Sequence, residues 1–221
     1  MENKRINVIV GHYGSGKTEF AVNFAIKLKN KFKKVYIVDL DIVNPYFRTN
    51  DVKKQLKELG IDVIASEFAS SNVDVPALPS EIFRVFCDVD AACVFDVGGD
   101  DDGAVALGRY KQYFDKEDYD MFFVINTFRP LSATGNDIIK LLYDIETSSR
   151  LKVSGLINNS NIAHLTTDRD VLKGQNIINE VSQKVGIDVA YTSGLEEVIK
   201  IIPREYISEP FYINRYLMLD F

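Results

Sequence analysis

Gly11-His12-Tyr13-Gly14-Ser15-Gly16-Lys17-Thr18 follows directly on the apolar run Ile6-Asn7-Val8-Ile9-Val10 and opens a helical pattern. It matches G-x-x-x-x-G-K-[ST] in full, the pattern of a phosphate-cradling loop. Glycines let successive backbone N–H groups turn toward an anion without Cβ clashes, and a helix start adds partial positive charge. On this reading Gly11 to Thr18 wraps a polyphosphate. Lys17 bridges its β- and γ-phosphates, and the Thr18 hydroxyl ligates Mg²⁺.

Outward from the loop, strands and helices alternate. Phe20, Ala21, Phe24, Ala25 and Leu28 recur at helical spacing, closed at Asn30-Lys31. Val35 to Val38 reads as a buried parallel strand that delivers Asp39-Leu40-Asp41. A helix from 51 to 59, a strand from Ile61 to Ala65, an irregular stretch from 66 to 79 and a short helix from 80 to 86 follow. The apolar strand 91–95 then delivers Asp96-Val97-Gly98-Gly99. Asp100 to Asp102 precede a helix carrying Leu107, Tyr110 and Phe114. A strand is expected at 119–125, an amphipathic helix at 132–145, a strand at 153–157 ending in Asn158-Asn159, a helix at 168–185 and a last parallel strand at 187–191. The aromatic-rich tail after Pro203 has no strong periodicity, and packing against the core is its expected role.

The alternation implies one α/β domain over residues 1–221, with a mainly parallel sheet of about seven strands and helices on both faces. Ligands on such sheets bind outside the carboxyl ends of the strands. The glycine loop, Asp39/Asp41, Asp96-Gly98-Gly99 and Asn158/Asn159 all sit at such ends.

A formal net charge of −6 argues against general affinity for nucleic acid or anionic membrane. Cys87 and Cys93 lie in apolar surroundings six residues apart, which reads as two buried free thiols in a reducing compartment. With no leader pattern and no apolar run of transmembrane length, a cytoplasmic location is expected.

At these residues the chain resembles the ParA/MinD/CobQ-CobB group of P-loop NTPases, over roughly Arg5 to Ile201. In that family the strand after the first helix ends in D-x-D, as in Asp39-Leu40-Asp41. The resemblance implies that Asp41 positions the attacking water and that Asp39 sits near the metal shell, with Lys17 neutralising developing charge. Asp96-Val97-Gly98-Gly99 resembles the family's D-x-G-G segment. It implies a water-mediated Mg²⁺ ligand in Asp96 and an N–H from Gly98 or Gly99 for the γ-phosphate. Asn158/Asn159 resembles the asparagine that hydrogen-bonds adenine, and counting from Gly155 favours Asn159. Without an N-K-x-D motif, ATP is preferred over GTP.

Two positions depart from the family. His12 stands where its dimerising members carry a lysine that reaches the partner's phosphates, and histidine makes no fixed charge near neutral pH. A homodimer of another kind stays open, as does a protein partner that reads the nucleotide state. Glu19 stands where a second hydroxyl often approaches the α-phosphate; its carboxylate should point away, leaving its backbone N–H to serve. Arg48, Arg109 and Arg129 are further candidates for phosphate contact. Alongside an ATPase, the superfamily offers a small-molecule kinase or ligase with its acceptor near 45–48 or 76–79, or an ATP-binding scaffold with little hydrolysis.

Overall fold

The computed structural model describes residues 4–41, 53–65, 81–99 and 101–216, without the side chains of 65, 101 and 102. Arg48 and its neighbours 44–47, the 76–79 stretch and Asp100 lie outside the described residues.

The strands are β1 (Ile6–Val10), β2 (Val35–Leu40), β3 (Ile61–Ala65), β4 (Ala92–Val97), β5 (Tyr119–Ile125), β6 (Gly155–Asn158), β7 (Val189–Gly194) and β8 (Glu209–Tyr212). They form an 8-stranded sheet in the order β3-β2-β4-β1-β5-β6-β7-β8, with every neighbouring pair parallel. Near-continuous apolar strands are what such a sheet requires, because both faces are covered. Side chains alternate between the faces. Ile6, Val8 and Val10 pack with Val38, Phe95 and Phe123 on one, while Ile9 joins Ile37, Val94 and Val124 on the other.

Helices α1 (Lys17–Lys29) and α2 (Lys53–Glu58) cover the second face through Phe20, Phe24, Leu28 and Leu56. On the first face lie α3 (Ile82–Cys87), α4 (Asp101–Gly108), α5 (Lys111–Phe114), α6 (Gly135–Ser149) and α7 (Asp168–Val185). The short α8 (Glu196–Ile199) packs with Val171 of α7. None of the described helices is long and apolar enough to cross a membrane.

Several boundaries differ from the sequence-based expectation, each for a local reason. The helix expected from 132 starts at Gly135, because Thr134 caps it by accepting the Asp137 N–H. Helix α7 runs over the expected 168–185. A reciprocal Thr167/Asp170 capping box opens it, and Gly186 in the left-handed region (φ 71°) closes it. The helix through Leu107 and Phe114 is two helices, broken at Arg109-Tyr110.

The sheet has one strand more than expected. Strand β8 is four residues long, contains Pro210 and buries only Phe211, so it leaves no alternating signal. An edge strand tolerates the proline. Phe211 is held by Phe20, Phe24 and Tyr191, with ring centroids 4.7, 6.0 and 5.5 Å away. Strand β7 also extends past the expected 191 to Gly194, which brings Thr192 and Ser193 into the strand. Of the cysteines, Cys93 is buried as expected, whereas Cys87 ends α3 and is exposed. The amphipathic spacing of that helix turns Ile82 and Val85 inward instead.

Candidate nucleotide site

β1 lies between β4 and β5, and the glycine loop leaves its carboxyl end. Gly16 caps α1 in the left-handed region (φ 85°), and no side chain caps the helix start. That is the helix terminus an anion fits, because side chains make no competing claim there. A Cβ at Gly16 would also strike the Asn159 amide. Within the loop, Ser15 N–H donates to the His12 carbonyl at 3.1 Å. The Lys17 ammonium folds back to the same carbonyl at 3.2 Å. The Ser15 hydroxyl is buried without a hydrogen-bond partner.

The carboxylates arrive from two adjacent strands. Asp39 of β2 and Asp96 of β4 are register partners. Each continues the alternation of residues that face α1: Val35 and Ile37 before Asp39, Ala92 and Val94 before Asp96. Both side chains therefore meet the first turn of α1, where Lys17 and Thr18 are themselves buried. Asp39 is 3% and Asp96 1% exposed. Asp39 Oδ1 accepts the Asp41 N–H at 3.0 Å, which turns the chain at the end of β2 and leaves Asp41 half-buried at the strand tip.

Neither oxygen of Asp96 meets a donor in hydrogen-bond geometry. Burial, with Asp39 beside it and Asp41 adding, raises its pKa to about 8. Lys17 opposes the rise, as does the Thr18 hydroxyl. A buried carboxylate in that condition is costly unless a cation or donor joins it.

Gly98-Gly99 closes over the loop. A Cβ at Gly99 would lie 2.5 Å from the Tyr13 nitrogen and 2.7 Å from Lys17 Nζ, so only glycine lets the two segments touch. His12 is partly buried, and burial lowers its pKa; the Tyr13 backbone opposes this and Lys17 adds to it. Burial thus favours its neutral imidazole form.

The asparagines are committed to the protein. Asn158 is fully buried and turns into the helix layer, donating to Val171 O at 3.1 Å and to Gln175 Oε1 at 2.9 Å. Asn159 donates to Ser15 O at 2.7 Å and accepts from the Ser193 hydroxyl at 2.9 Å. Its amide thus braces the back of the loop. Gln175 Oε1 also accepts from Thr192 at 2.7 Å. Ser193 escaped the sequence reading because nothing in Thr-Ser-Gly marks a strand end; only its bond to Asn159 shows its place. Arg129, in the loop after β5, donates through Nε to Gly14 O at 2.9 Å from an exposed position. Arg109 and His164 are exposed. The Glu19 carboxylate, expected to point away from the loop, accepts the Tyr216 N–H.

Among the described residues, no three His, Cys, Asp or Glu side chains gather as a metal cage. Mg²⁺ is commonly held by one or two carboxylates together with substrate phosphates and water. Thr18, Asp39 and the uncompensated Asp96 fit that donor set.

No family model and no curated protein matches the sequence. Solved structures do match in fold. The cell division protein FtsY of Thermotoga maritima superposes with a TM-score of 0.63 at 17% identity, over 93% of this chain and 66% of that one. A nucleotide-binding protein of Archaeoglobus fulgidus, in complex with ADP, gives 0.53 at 15% identity over 89% and 84%. The signal recognition particle receptor FtsY of Elizabethkingia anophelis, in complex with GDP, gives 0.54 at 14% over 87% and 58%. The chain thus spans about two thirds or less of the length of these FtsY proteins. At such identities the likeness is one of fold alone: a parallel-sheet α/β, P-loop-like architecture.

Proposed function

We propose that the chain binds Mg²⁺-ATP and hydrolyses it, as a ParA/MinD-like switch. The observation that carries this reading is the buried pair Asp39/Asp96, set on one face with Lys17 and Thr18 while both Asp96 oxygens lack donors. A bound Mg²⁺ would supply the charge that this pair lacks and draw electron density from the phosphates. Thr18 and Asp96 would hold it, with Asp39 nearby. The loop from Gly11 to Thr18 and the Glu19 N–H would orient the polyphosphate, and Lys17 would exchange the His12 carbonyl for phosphate oxygen. Asp41 would hold the attacking water in line. Gly98-Gly99, in contact with Tyr13 and Lys17, would carry the nucleotide state to a protein partner.

Adenine is favoured because Asn158-Asn159-Ser160-Asn161 contains no aspartate for the donor edge of guanine. The neutral His12 supplies no fixed cation for a second subunit, so the reading carries no lysine exchanged across a dimer.

Calorimetry with Mg²⁺-ATP and Mg²⁺-GTP, followed by phosphate release, tests the assignment. Micromolar ATP binding with slow turnover is expected; absence of binding to both nucleotides overturns it. In Asp41→Ala, phosphate release should fall about 100-fold or more while ATP affinity holds within a few-fold. An equal loss of both would instead assign Asp41 to binding.

A further inference from the structure

The stretch after β8 is not spent on the sheet edge. Ile213 N–H donates to Gly194 O at 2.8 Å, fastening the chain to the carboxyl end of β7. Asn214 then makes a reciprocal pair with Asn23 of α1: Asn23 Nδ2 donates to Asn214 O at 2.8 Å, and Asn214 N–H donates to Asn23 Oδ1 at 2.9 Å. The same Nδ2 holds Glu19 O at 2.8 Å. One turn nearer the loop, Glu19 accepts the Tyr216 N–H. The segment therefore climbs α1 from Asn23 to Glu19 and arrives one residue from Thr18. Asn23 is 7% exposed, so its side of these bonds is buried, while Asn214 lies at the surface. Ile213 and Tyr216 pack, partly buried, on the apolar cluster of that face.

The direction of the site gives this path a meaning. Asp39 and Asp96 come from β2 and β4, on one side of β1, and mark the γ-phosphate end. A triphosphate laid along the loop must send its nucleoside toward the other side, where β5, β6, β7 and β8 end. The segments there are the Asn159 brace, the Gly194 turn and 213–216.

We propose that Ile213–Tyr216 is the wall of the nucleoside subsite, with Tyr216 the aromatic surface facing the purine and ribose. Asn23 and Glu19 are positioning residues that hold this wall against α1. The proposal rests on the functional reading above and adds which part of the chain senses the nucleoside as distinct from its phosphates. Aromatic faces suit this task, since every purine offers a π-surface.

Two measurements test it with Mg²⁺-ATP and Mg²⁺-tripolyphosphate as paired probes. The chain contains no tryptophan, so Tyr216→Trp is a single emission reporter. Its emission should shift with Mg²⁺-ATP and stay fixed with Mg²⁺-tripolyphosphate. By calorimetry, Asn23→Ala should weaken ATP about tenfold and leave tripolyphosphate within twofold. Equal emission shifts with both probes, or equal affinity losses for both, overturn the proposal, because the segment then acts through the phosphate loop. No change with either probe, in a protein whose wild type binds both, overturns it while sparing the functional reading. A wild type that binds neither overturns that reading and this one together.

Discussion

The two halves of the sheet treat buried polar groups in opposite ways. On the β2–β4–β1 side, Asp96 has no donor on either oxygen and the Ser15 hydroxyl has no partner. On the β5–β8 side, Asn158, Asn159, Ser160, Gln175, Thr192 and Ser193 are as deeply buried, yet they bond to one another and to backbone. A buried polar group without a partner costs about 1–3 kcal/mol, and more when charged. The satisfied half is scaffold. The unsatisfied half, on the proposed reading, is the part that a bound ligand would stabilise.

The sharpest way to break the contrast is Lys17→Ala, which removes the ammonium proposed to meet the phosphates. Turnover per unit ATP should drop about 10³-fold, with a circular dichroism spectrum like that of the wild type. Retained turnover would place the chemistry elsewhere.

Asp96→Asn should act oppositely on stability and function. It removes a costly buried carboxyl, so the apo protein should gain about 1 kcal/mol, or roughly 2–4 °C in melting temperature. The rise in melting temperature caused by Mg²⁺-ATP should shrink. The same residue sets a pH dependence. Its folded pKa of about 8 lies above the ordinary 3.8, so the native state binds more protons between those values. Its stabilising contribution is complete below about pH 4 and is lost as pH rises through about 8. Wild-type melting curves without ligand should show that decline from about pH 4 to about pH 8 and level off above it, and Asp96→Asn should flatten it.

Gln175→Leu probes the other half. It leaves the Asn158 amide and the Thr192 hydroxyl short of a partner, which should cost about 1–3 kcal/mol of unfolding free energy in urea. Turnover at saturating ATP should stay within about twofold. A large loss of turnover with little loss of stability would blur the division drawn here.

Arg129→Ala should do least. One exposed bond to Gly14 O is worth about 0.5–1.5 kcal/mol, so ATP affinity should fall a few-fold at most. A loss of 100-fold or more would promote Arg129 to a phosphate ligand.

Much of the candidate site's layout was legible in sequence because its signals are local. The loop from Gly11 to Thr18 needs particular residues at consecutive positions, and Asp39, Asp96 and Asn158 each end an apolar run. Helix α7 was legible to its termini because its caps, Thr167/Asp170 and Gly186, are local too. The tasks of Asn158 and Asn159 were not. An asparagine at a strand end reads the same whether its amide meets a base or a neighbouring helix, and only Gln175, Val171 and Ser193 reveal that partner. Stretches 42–52 and 66–80 lie outside the described residues, and the candidates there stay sequence-based expectations.

By itself, the sequence determined the α/β class, the glycine loop between β1 and α1 and the acidic strand ends, since periodicity and backbone sterics act over a few residues. Tertiary structure alone decided which acids become neighbours and which polar groups are satisfied. It also decided that an aperiodic tail becomes an eighth strand and climbs α1 to Glu19. Those outcomes depend on contacts between residues as far apart as Glu19 and Tyr216, and no local pattern encodes them.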